Sequence, residues 1–235
     1  MKRIFTIVTC CLGAAMLLSS CGQSPKKAAE DEAVQTEVAR QDSLAAAAKL
    51  EAETKQKEIM ETIATLPAEP QFDLVTNMGT MRIKLYSDTP KHRENFAKLA
   101  LSGFYDGILF HRVIPGFMVQ TGDPLTKDAQ NKEKFGTGGP GYTIPAEIVE
   151  GHGHKLGAIA AARLGDKANP MKESSGSQFY IVVDEVGCSH LDGQYSVFGE
   201  VITGVETAKK ISQVDTDPRD CPLEDVKIEK VLLVE

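Results

Sequence analysis

Residues 110–123 read FHRVIPGFMVQTGD, and this stretch determines the fold that we expect for the chain. The β-branched and aromatic residues over 110–114 predict a strand, and Pro115 with Gly116 forms a turn pair. Residues 117–120 then resume an extended run. The stretch therefore predicts a β-hairpin whose two arms pair with each other.

The side chains of this hairpin should alternate between two faces, because the side-chain period of a strand is two residues. Phe110, Arg112 and Ile114 would share one face of the first arm. Met118 and Gln120 would share one face of the second arm. The hairpin would then present a cation close to a thioether and an amide. Taken alone, the same run also fits a hairpin with one exposed arginine.

The segments around the hairpin add short strands and two helices. Residues 72–77 and 80–86 alternate in hydrophobicity as a second hairpin does. A helix is expected with Thr89 as its N-cap, Pro90 at its first position and Gly103 at its end. The remaining elements are a helix around residues 205–211 and a final strand over residues 226–234. Many short strands with two helices indicate a mainly β domain, a closed barrel capped at its ends.

Two further stretches each combine a glutamine with aromatic residues. Residues 174–183 read SSGSQFYIVV, and residues 191–201 read LDGQYSVFGEV. Together with the first hairpin, these stretches resemble the cyclophilin family of peptidyl-prolyl isomerases, in which the matching segments have the same order and spacing. The resemblance covers residues 72–235 and implies a closed, eight-stranded antiparallel β-barrel with a packed interior. It also implies a binding site on the outer face of the barrel.

The resemblance further implies which residues form the site. Arg112 and Gln120 would be catalytic. The residues that would bind the substrate are Phe117, Met118, Ala162, Gln178, Tyr180, Leu191 and Tyr195. The substrate would be a proline-containing polypeptide, bound without a cofactor or a metal ion. We expect the chain to act as a monomer.

Three positions depart from the family's common pattern. Arg163 stands where an asparagine often follows the alanine of the groove, and His190 stands where many members carry tryptophan. Tyr195 stands where many members carry histidine, but it retains an aromatic ring and a donor. We therefore expect the change at Tyr195 to affect catalysis little.

The residue types of the expected site suit rotation about a prolyl bond. Such rotation breaks amide conjugation and leaves a basic lone pair on the prolyl nitrogen, which a fixed guanidinium can stabilise. No nucleophile motif is found in the sequence, and this chemistry needs none. The alternative is a membrane-tethered chaperone or peptide-binding module with little isomerase activity. Arg112 together with Gln120 favours the enzyme, because a passive binder needs the apolar pocket but no positioned cation.

The N-terminus has the pattern of a secretory signal over residues 1–20. Lys2 and Arg3 precede an apolar run over residues 4–18 that is short for a membrane span. The sequence LSSCG around Cys21 resembles the lipobox of bacterial lipoproteins, whose cysteine is acylated. The alternative is an ordinary cleaved signal with an incidental cysteine. We expect lipidation at Cys21 and a lipid anchor in the bacterial cell envelope.

Residues 21–70 are expected to be the lipidated N-terminus and a spacer, and residues 71–235 the isomerase domain. The spacer is rich in Ala, Glu, Lys and Gln, with neither Gly nor Pro over residues 28–66. It is either a helix that holds the domain off the membrane or a partly disordered linker. Pro67 and Pro70 end it.

Other features of the sequence exclude further function classes. The formal net charge of −7 argues against a nucleic-acid partner, because binding to phosphates requires a positively charged surface. GTGGPG at residues 136–141 lacks the following lysine and helix of a phosphate loop. His152 and His154 have no third ligand in register for a metal site. Cys188 and Cys221 are expected to be free thiols rather than a disulfide.

Overall fold

The computed structural model of the chain describes residues 25–234, with side chains from residue 40 onward. The predicted signal sequence over residues 1–20 and the predicted lipidation site Cys21 lie outside the described residues. The chain divides into two units between residues 51 and 52.

A long α-helix, α1, spans Pro25–Thr65. Its Ala, Glu, Lys and Gln residues are strong helix formers, and Pro67 forces the residue before it out of the helical region. Of the two alternatives for the spacer, the helix is observed over this range. Within residues 25–234, no helix is both long enough and apolar enough to span a membrane. Residues 52–65 of α1 belong to the second unit.

The second unit contains the β-structure and two shorter helices. The helices are α2 (Pro90–Ser102) and α3 (Val205–Ser212). The strands are β1 (Gln71–Thr76), β2 (Gly79–Leu85), β3 (Arg112–Ile114), β4 (Met118–Thr121), β5 (Thr143–Ile144), β6 (Ala158–Ala161), β7 (Ser174–Ser175), β8 (Phe179–Val182), β9 (Val197–Thr203) and β10 (Ile228–Leu233). Short 3-10 segments follow β4, over Pro124–Lys127 and Ala129–Lys134, and another lies at Ser189–Leu191.

Eight of the strands form one antiparallel sheet in the order β10-β1-β2-β9-β6-β8-β4-β3. The expected closed barrel is not shown, because the edge strands β3 and β10 do not pair with each other among residues 25–234. The segment ahead of β3 is joined to the segment around β10 by one isolated bridge, between Leu109 and Lys227. Backbone hydrogen bonds also link the two segments, from Gly107 N–H to Ile228 O (2.8 Å) and from Ile228 N–H to Ile108 O (2.8 Å).

The residues of the sheet pack into two separate apolar clusters. We call the larger one the inner cluster; it includes residues of α2 and α3. Its members include Phe72, Leu74, Met81, Ile83, Leu85, Phe96, Tyr105, Phe110, Val113, Val119, Ile159, Phe179, Ile181, Phe198 and Ile211. The outer cluster consists of Tyr86, Met118, Ala158, Ala160, Tyr180, Val182, Cys188 and Val197. The site described below lies at the outer cluster.

Helix α2 has the boundaries that its sequence predicts, but its N-terminus is satisfied differently. Gly103 ends the helix in the left-handed conformation, at φ 77°. Thr89 occupies the N-cap position without a side-chain capping bond. Instead the carboxylate of Glu147 accepts hydrogen bonds from the backbone N–H groups of Lys91 (3.0 Å) and His92 (2.9 Å). A loop residue distant in sequence therefore supplies the cap.

The hairpin predicted over residues 110–123 is observed as β3 and β4. Arg112 lies opposite Gln120, and Ile114 packs beside the outer cluster. The prediction that Phe110 shares this face is wrong, because Phe110 is buried in the inner cluster. The strand begins only at Arg112, and the N–H of Phe110 bonds the carbonyl oxygen of Val226 instead (2.8 Å).

Candidate active site

Three neighbouring strands align the central residues of the site. Arg112 on β3 is the register partner of Gln120 on β4, and Gln120 is the partner of Tyr180 on β8. Tyr180 is in turn the partner of Ala160 on β6. Directly opposed residues in antiparallel strands place their side chains on the same face. The sheet therefore lines up a guanidinium, an amide and a phenol in one row.

A pocket of about 140 Å³ opens on this face of the sheet. It brings together eight of the nine site residues expected from the sequence. The pocket is lined by Arg112, Phe117, Met118, Gln120, Ala162, Arg163, Tyr180, Leu191 and Tyr195. Its floor is apolar, since Met118 and Tyr180 are buried in the outer cluster while Phe117 and Leu191 pack against it. The guanidinium of Arg112 thus lines an apolar pocket.

Arg112 is held loosely enough to keep donors available. Its Nε lies 3.6 Å from Oδ2 of Asp220, which is longer than a hydrogen bond, and both side chains are nearly half exposed. Asp220 adopts a left-handed φ of 62°, and its carbonyl oxygen accepts a hydrogen bond from the N–H of Val113 (2.8 Å). Asp220 could not be predicted from the sequence, because only the fold brings the turn before β10 beside β3.

Gln178, the ninth expected residue, lies behind Gln120 rather than in the pocket lining. The Nε2 of Gln120 donates to Oε1 of Gln178 at 3.0 Å. The Nε2 of Gln178 donates to the carbonyl oxygens of Gly136 (3.0 Å) and Gly138 (2.8 Å). Gln178 is buried, and this bonding fixes the orientation of its amide. It therefore positions Gln120 and ties it to the glycine-rich loop.

The glycine-rich loop over residues 136–141 is held by a carboxylate. Oδ2 of Asp123 accepts the backbone N–H groups of Gly136 (2.6 Å) and Gly138 (3.1 Å). A side chain on Gly138 would collide with Asp123 and Leu125, so glycine is required by the close approach. These N–H groups bond the protein's own carboxylate, so they are not available to bind a phosphate. The segment is therefore a surface loop, as the sequence predicts.

Arg163 is the pocket residue that was not predicted as part of the site. Its guanidinium lies over the ring of Tyr195 at 4.6 Å, and its Nε donates to the carbonyl oxygen of Gln194 at 2.9 Å. Its Nη1 pairs with Asp166 (2.6 Å) and donates to the carbonyl oxygen of Leu164 (2.9 Å). A stacked cation of this kind is attracted by the ring quadrupole. Its place directly after Ala162 in the sequence was the signal that could have identified it.

The two histidines of the HGH sequence bind different carboxylates. The ring of His152 lies 2.8 Å from Asp88, and the ring of His154 lies 2.7 Å from Asp192. Within the described part of the chain, His, Cys, Asp and Glu side chains form no cluster of three that could hold a metal ion.

Cys188 and Cys221 are free thiols, as predicted, and both are buried. Burial raises the pKa of each thiol above its ordinary value, which favours the inert protonated form.

Comparisons with known proteins agree with this geometry. The family model described as "Cyclophilin type peptidyl-prolyl cis-trans isomerase/CLD" matches residues 71–232. Peptidyl-prolyl cis-trans isomerase B of Bacillus subtilis is 43% identical over 147 residues, which cover 61% of this chain and 91% of the relative. Peptidyl-prolyl cis-trans isomerase-like 1 of Aspergillus fumigatus is 37% identical over 161 residues, which cover 68% of this chain and 92% of the relative.

Solved structures give the same picture at the level of the fold. The crystal structure of a Cryptosporidium parvum cyclophilin-type peptidyl-prolyl cis-trans isomerase matches with a TM-score of 0.62 and 28% identity. The match covers 71% of this chain and 98% of that one. A second structure of the same parasite protein, in the presence of the dipeptide Ala-Pro, matches with a TM-score of 0.61 and 28% identity, covering 70% of this chain and 99% of that one.

Proposed function

The chain belongs to the cyclophilin-type peptidyl-prolyl cis-trans isomerases, and we propose that it accelerates X-Pro isomerisation with Arg112 at an apolar proline pocket. The observation that carries the proposal is that Arg112 lines the same small pocket as Phe117, Met118 and Leu191. The parasite relative crystallised in the presence of Ala-Pro supports a proline-containing peptide as the substrate. The pocket of this chain would take the proline ring, and Ala162 would border the groove for the neighbouring backbone.

The proposed mechanism is stabilisation of the twisted amide. Rotation about the X-Pro bond breaks its conjugation, which sets a barrier of about 18–20 kcal/mol. In the twisted state the prolyl nitrogen becomes pyramidal and gains a basic lone pair. Arg112 donates a hydrogen bond to that nitrogen, and the bond is much weaker in either planar isomer. The interaction therefore lowers the barrier rather than binding all states equally.

The neighbouring amides would hold the substrate against Arg112. Gln120 stands opposite Arg112 in the β3–β4 register, and Gln178 fixes its amide from behind. The carboxylate of Asp220 lies 3.6 Å from Nε of Arg112 and would attract the guanidinium toward this edge of the pocket. The substrate backbone would then be bound in one orientation, with its prolyl nitrogen facing the cation. Such positioning contributes to the rate without any covalent intermediate.

Magnitudes indicate that this arrangement is sufficient. Uncatalysed X-Pro exchange takes tens to hundreds of seconds. A turnover of about 10–1,000 per second then requires roughly 4–8 kcal/mol of barrier reduction. One charge-assisted hydrogen bond supplies about 1.5–3 kcal/mol, and a preorganised, partly dry site supplies more.

Replacement of Arg112 tests the mechanism. Arg112→Ala should lower turnover by about 1–3 decades, or about 1.4–4 kcal/mol, with a much smaller change in peptide affinity. Arg112→Lys should recover only part of the loss, because an ammonium group does not reproduce the planar fork. Phe117→Ala should weaken both peptide affinity and turnover, since it removes a wall of the pocket. Turnover comes from an isomerisation assay on a short X-Pro peptide, and affinity from titration.

Arg82→Ala is the matched control for this experiment. Arg82 is exposed to a similar degree, pairs with Asp73 at 2.8 Å and lies outside the pocket lining. It should leave turnover unchanged. An Arg112→Ala chain with wild-type turnover ends this mechanism. A wild-type chain that binds peptide without measurable isomerisation would favour the tethered binding module instead.

We also propose that the enzyme works on exported proteins from a lipid anchor at Cys21 in the bacterial cell envelope. The support is the sequence alone: a basic start, an apolar run and LSSCG ending the predicted signal. Several acyl chains, at about 0.8 kcal/mol per buried methylene, would make the anchor effectively permanent. Mass spectrometry of the mature protein should find an acylated Cys21 at its N-terminus. A soluble protein with another, unmodified N-terminus would remove the anchor.

A further inference from the structure

We propose that His154, bonded between Asp192 and Tyr180, is a positioning residue that holds the floor of the proline pocket to the segment that carries Leu191. The inference rests on the proposed function of that pocket. None of the catalytic steps above uses His154, and its side chain is completely buried.

The three side chains form a continuous hydrogen-bonded chain. Nδ1 of His154 lies 2.7 Å from Oδ1 of Asp192, and its Nε2 lies 3.0 Å from the hydroxyl of Tyr180. The same Asp192 oxygen accepts the backbone N–H of His154 at 2.8 Å. The imidazole and phenol rings are nearly parallel, with centroids 6.0 Å apart. These hydrogen bonds therefore link a half-exposed carboxylate to a phenol in the pocket floor.

The bonding partners determine the tautomer of His154. Hydrogen bonds from His154 lower the pKa of Asp192, so this carboxylate is ionised and can only accept. Nδ1 must therefore carry the proton. Burial lowers the pKa of His154, so the ring is neutral at pH 7 and its Nε2 is an acceptor. The hydroxyl of Tyr180 consequently donates to Nε2.

The hydrogen bonds of His154 connect two elements that both line the pocket. Tyr180 belongs to β8, whereas Asp192 directly follows Leu191 at the end of the Ser189–Leu191 turn. Both Tyr180 and Leu191 line the pocket. The ring of Tyr195 contacts Tyr180 edge-on, at a centroid distance of 5.9 Å. Loss of the His154 link would free Leu191 and Tyr180 to move apart, which would loosen the fit to a proline ring.

Tyr180 and His154 bond each other away from solvent. A buried hydroxyl or imidazole that loses its partner carries an uncompensated desolvation penalty. Tyr180 and His154 are both less than a tenth exposed, so each depends on the other. Hydrogen bonds of this kind fix one ring orientation. A phenylalanine at position 180 would fill the same space without that constraint.

His152 provides a matched control two residues away. Its ring also pairs with a carboxylate, that of Asp88, and it stacks on Tyr86 at 4.2 Å. It does not line the pocket. If any imidazole–carboxylate pair in this loop affected peptide binding, His152 would behave like His154.

A double-mutant cycle on the full chain tests the proposal. His154→Asn keeps a donor near Asp192 and removes the acceptor for Tyr180, while Tyr180→Phe removes the hydroxyl. Alone, His154→Asn should weaken affinity for an Ala-Pro peptide by about 3- to 10-fold, with turnover at saturation changed less than about 2-fold. In the Tyr180→Phe background the same substitution should change affinity by less than about 2-fold. His154→Gln, whose amide oxygen reaches the Nε2 position, should restore part of the affinity, and His152→Asn should change nothing.

The outcomes separate this proposal from the mechanism at Arg112. Equal losses of affinity in both backgrounds, or coupling seen in unfolding but not in affinity, would overturn the positioning role alone. Nitrogen NMR of the His154 ring must also report protonation at Nδ1 and not at Nε2; the opposite tautomer overturns the proposed chain of bonds. If the Arg112→Ala variant kept the turnover of the wild type, the mechanism at Arg112 would be wrong but the affinity test of His154 would still apply. If the wild-type protein bound no prolyl peptide, both proposals would be overturned.

Discussion

The central strands β4, β6 and β8 carry two faces with different chemistry. One face joins the inner cluster and the other carries the candidate site. The residues toward the inner cluster are Val119, Ile159, Ala161, Phe179 and Ile181. The residues toward the site are Met118, Gln120, Ala158, Ala160, Tyr180 and Val182. Residues adjacent in sequence thus belong to different environments, as the period of a strand requires.

The difference shows where stability and function are separated. The inner cluster consists of apolar side chains that need no specific partner, and its stabilisation follows from burial and packing. The site face combines apolar walls with a guanidinium, amides and phenols, and specific hydrogen bonds orient Gln120 and Tyr180. Substitutions on the inner face should therefore change the free energy of unfolding, and substitutions on the site face should change peptide affinity or turnover.

Phe179→Ala should give the largest effect and should act on stability. Phe179 is 1% exposed and makes edge contacts with Phe96 at 5.6 Å and Tyr105 at 5.7 Å. Its removal leaves a cavity that costs about 3–5 kcal/mol in the free energy of unfolding. Chemical denaturation measures the loss. Peptide affinity of the folded fraction should change by less than about 2-fold, because the ring does not line the pocket.

Phe117→Ala is the counterpart on the site face. Phe117 is only partly buried, so its loss should cost less than about 1.5 kcal/mol of stability while weakening peptide binding. A Phe179→Ala chain that is stable but fails to bind peptide would break the separation between the two faces.

His111 and Arg112 repeat the contrast in two consecutive residues. His111 is 5% exposed, whereas Arg112 is nearly half exposed. Burial lowers the pKa of His111 to about 4, from an unfolded value of 6.5. The unfolded chain therefore binds a proton first as the pH falls, so stability should decline between pH 6.5 and pH 4. The full difference corresponds to about 3 kcal/mol from this residue.

Denaturation between pH 8 and pH 4 measures this decline. His111→Asn should flatten it by the share that belongs to His111, leaving the contributions of other buried histidines. An NMR titration of the His111 ring should give a midpoint near pH 4, and a midpoint near pH 6.5 would contradict the prediction.

Short-range patterns were the parts of the fold that the sequence predicted best. The hairpin around Pro115 and Gly116 and the limits of α2 at Pro90 and Gly103 follow from local turn and cap chemistry. The resemblance to a family supplied most of the pocket, because Arg112, Gln120 and their neighbours keep the family's spacing. The closed barrel was expected from the same pattern, but the ladder between its edge strands is not shown.

The details missed by the sequence analysis depend on contacts between distant segments. Glu147 caps α2 from 56 and 55 residues away, and Gln120 bonds Gln178 from 58 residues away. The chain of His154, Asp192 and Tyr180 joins three separate segments. Arg163 stacks on the ring of Tyr195, which belongs to a separate segment of the sequence. No local pattern encodes such pairs, since each needs the fold to bring its members together.

The end of α1 packs on the inner cluster, so its removal should affect stability and leave turnover unchanged. Ile59 is 6% exposed, and Ile63 and Leu66 pack against the inner cluster. Removal of residues 1–51 should leave stability within about 0.5 kcal/mol of wild type, whereas removal of residues 1–69 should lower it by about 1–3 kcal/mol through lost apolar burial. Both truncated chains should retain wild-type turnover per folded molecule, because none of the described residues before Arg112 lines the pocket. Urea denaturation and the isomerisation assay on both chains measure the two quantities. If the shorter chain lost turnover while remaining folded, the helix would act on the site, and stability and function would not be divided between the two faces as proposed.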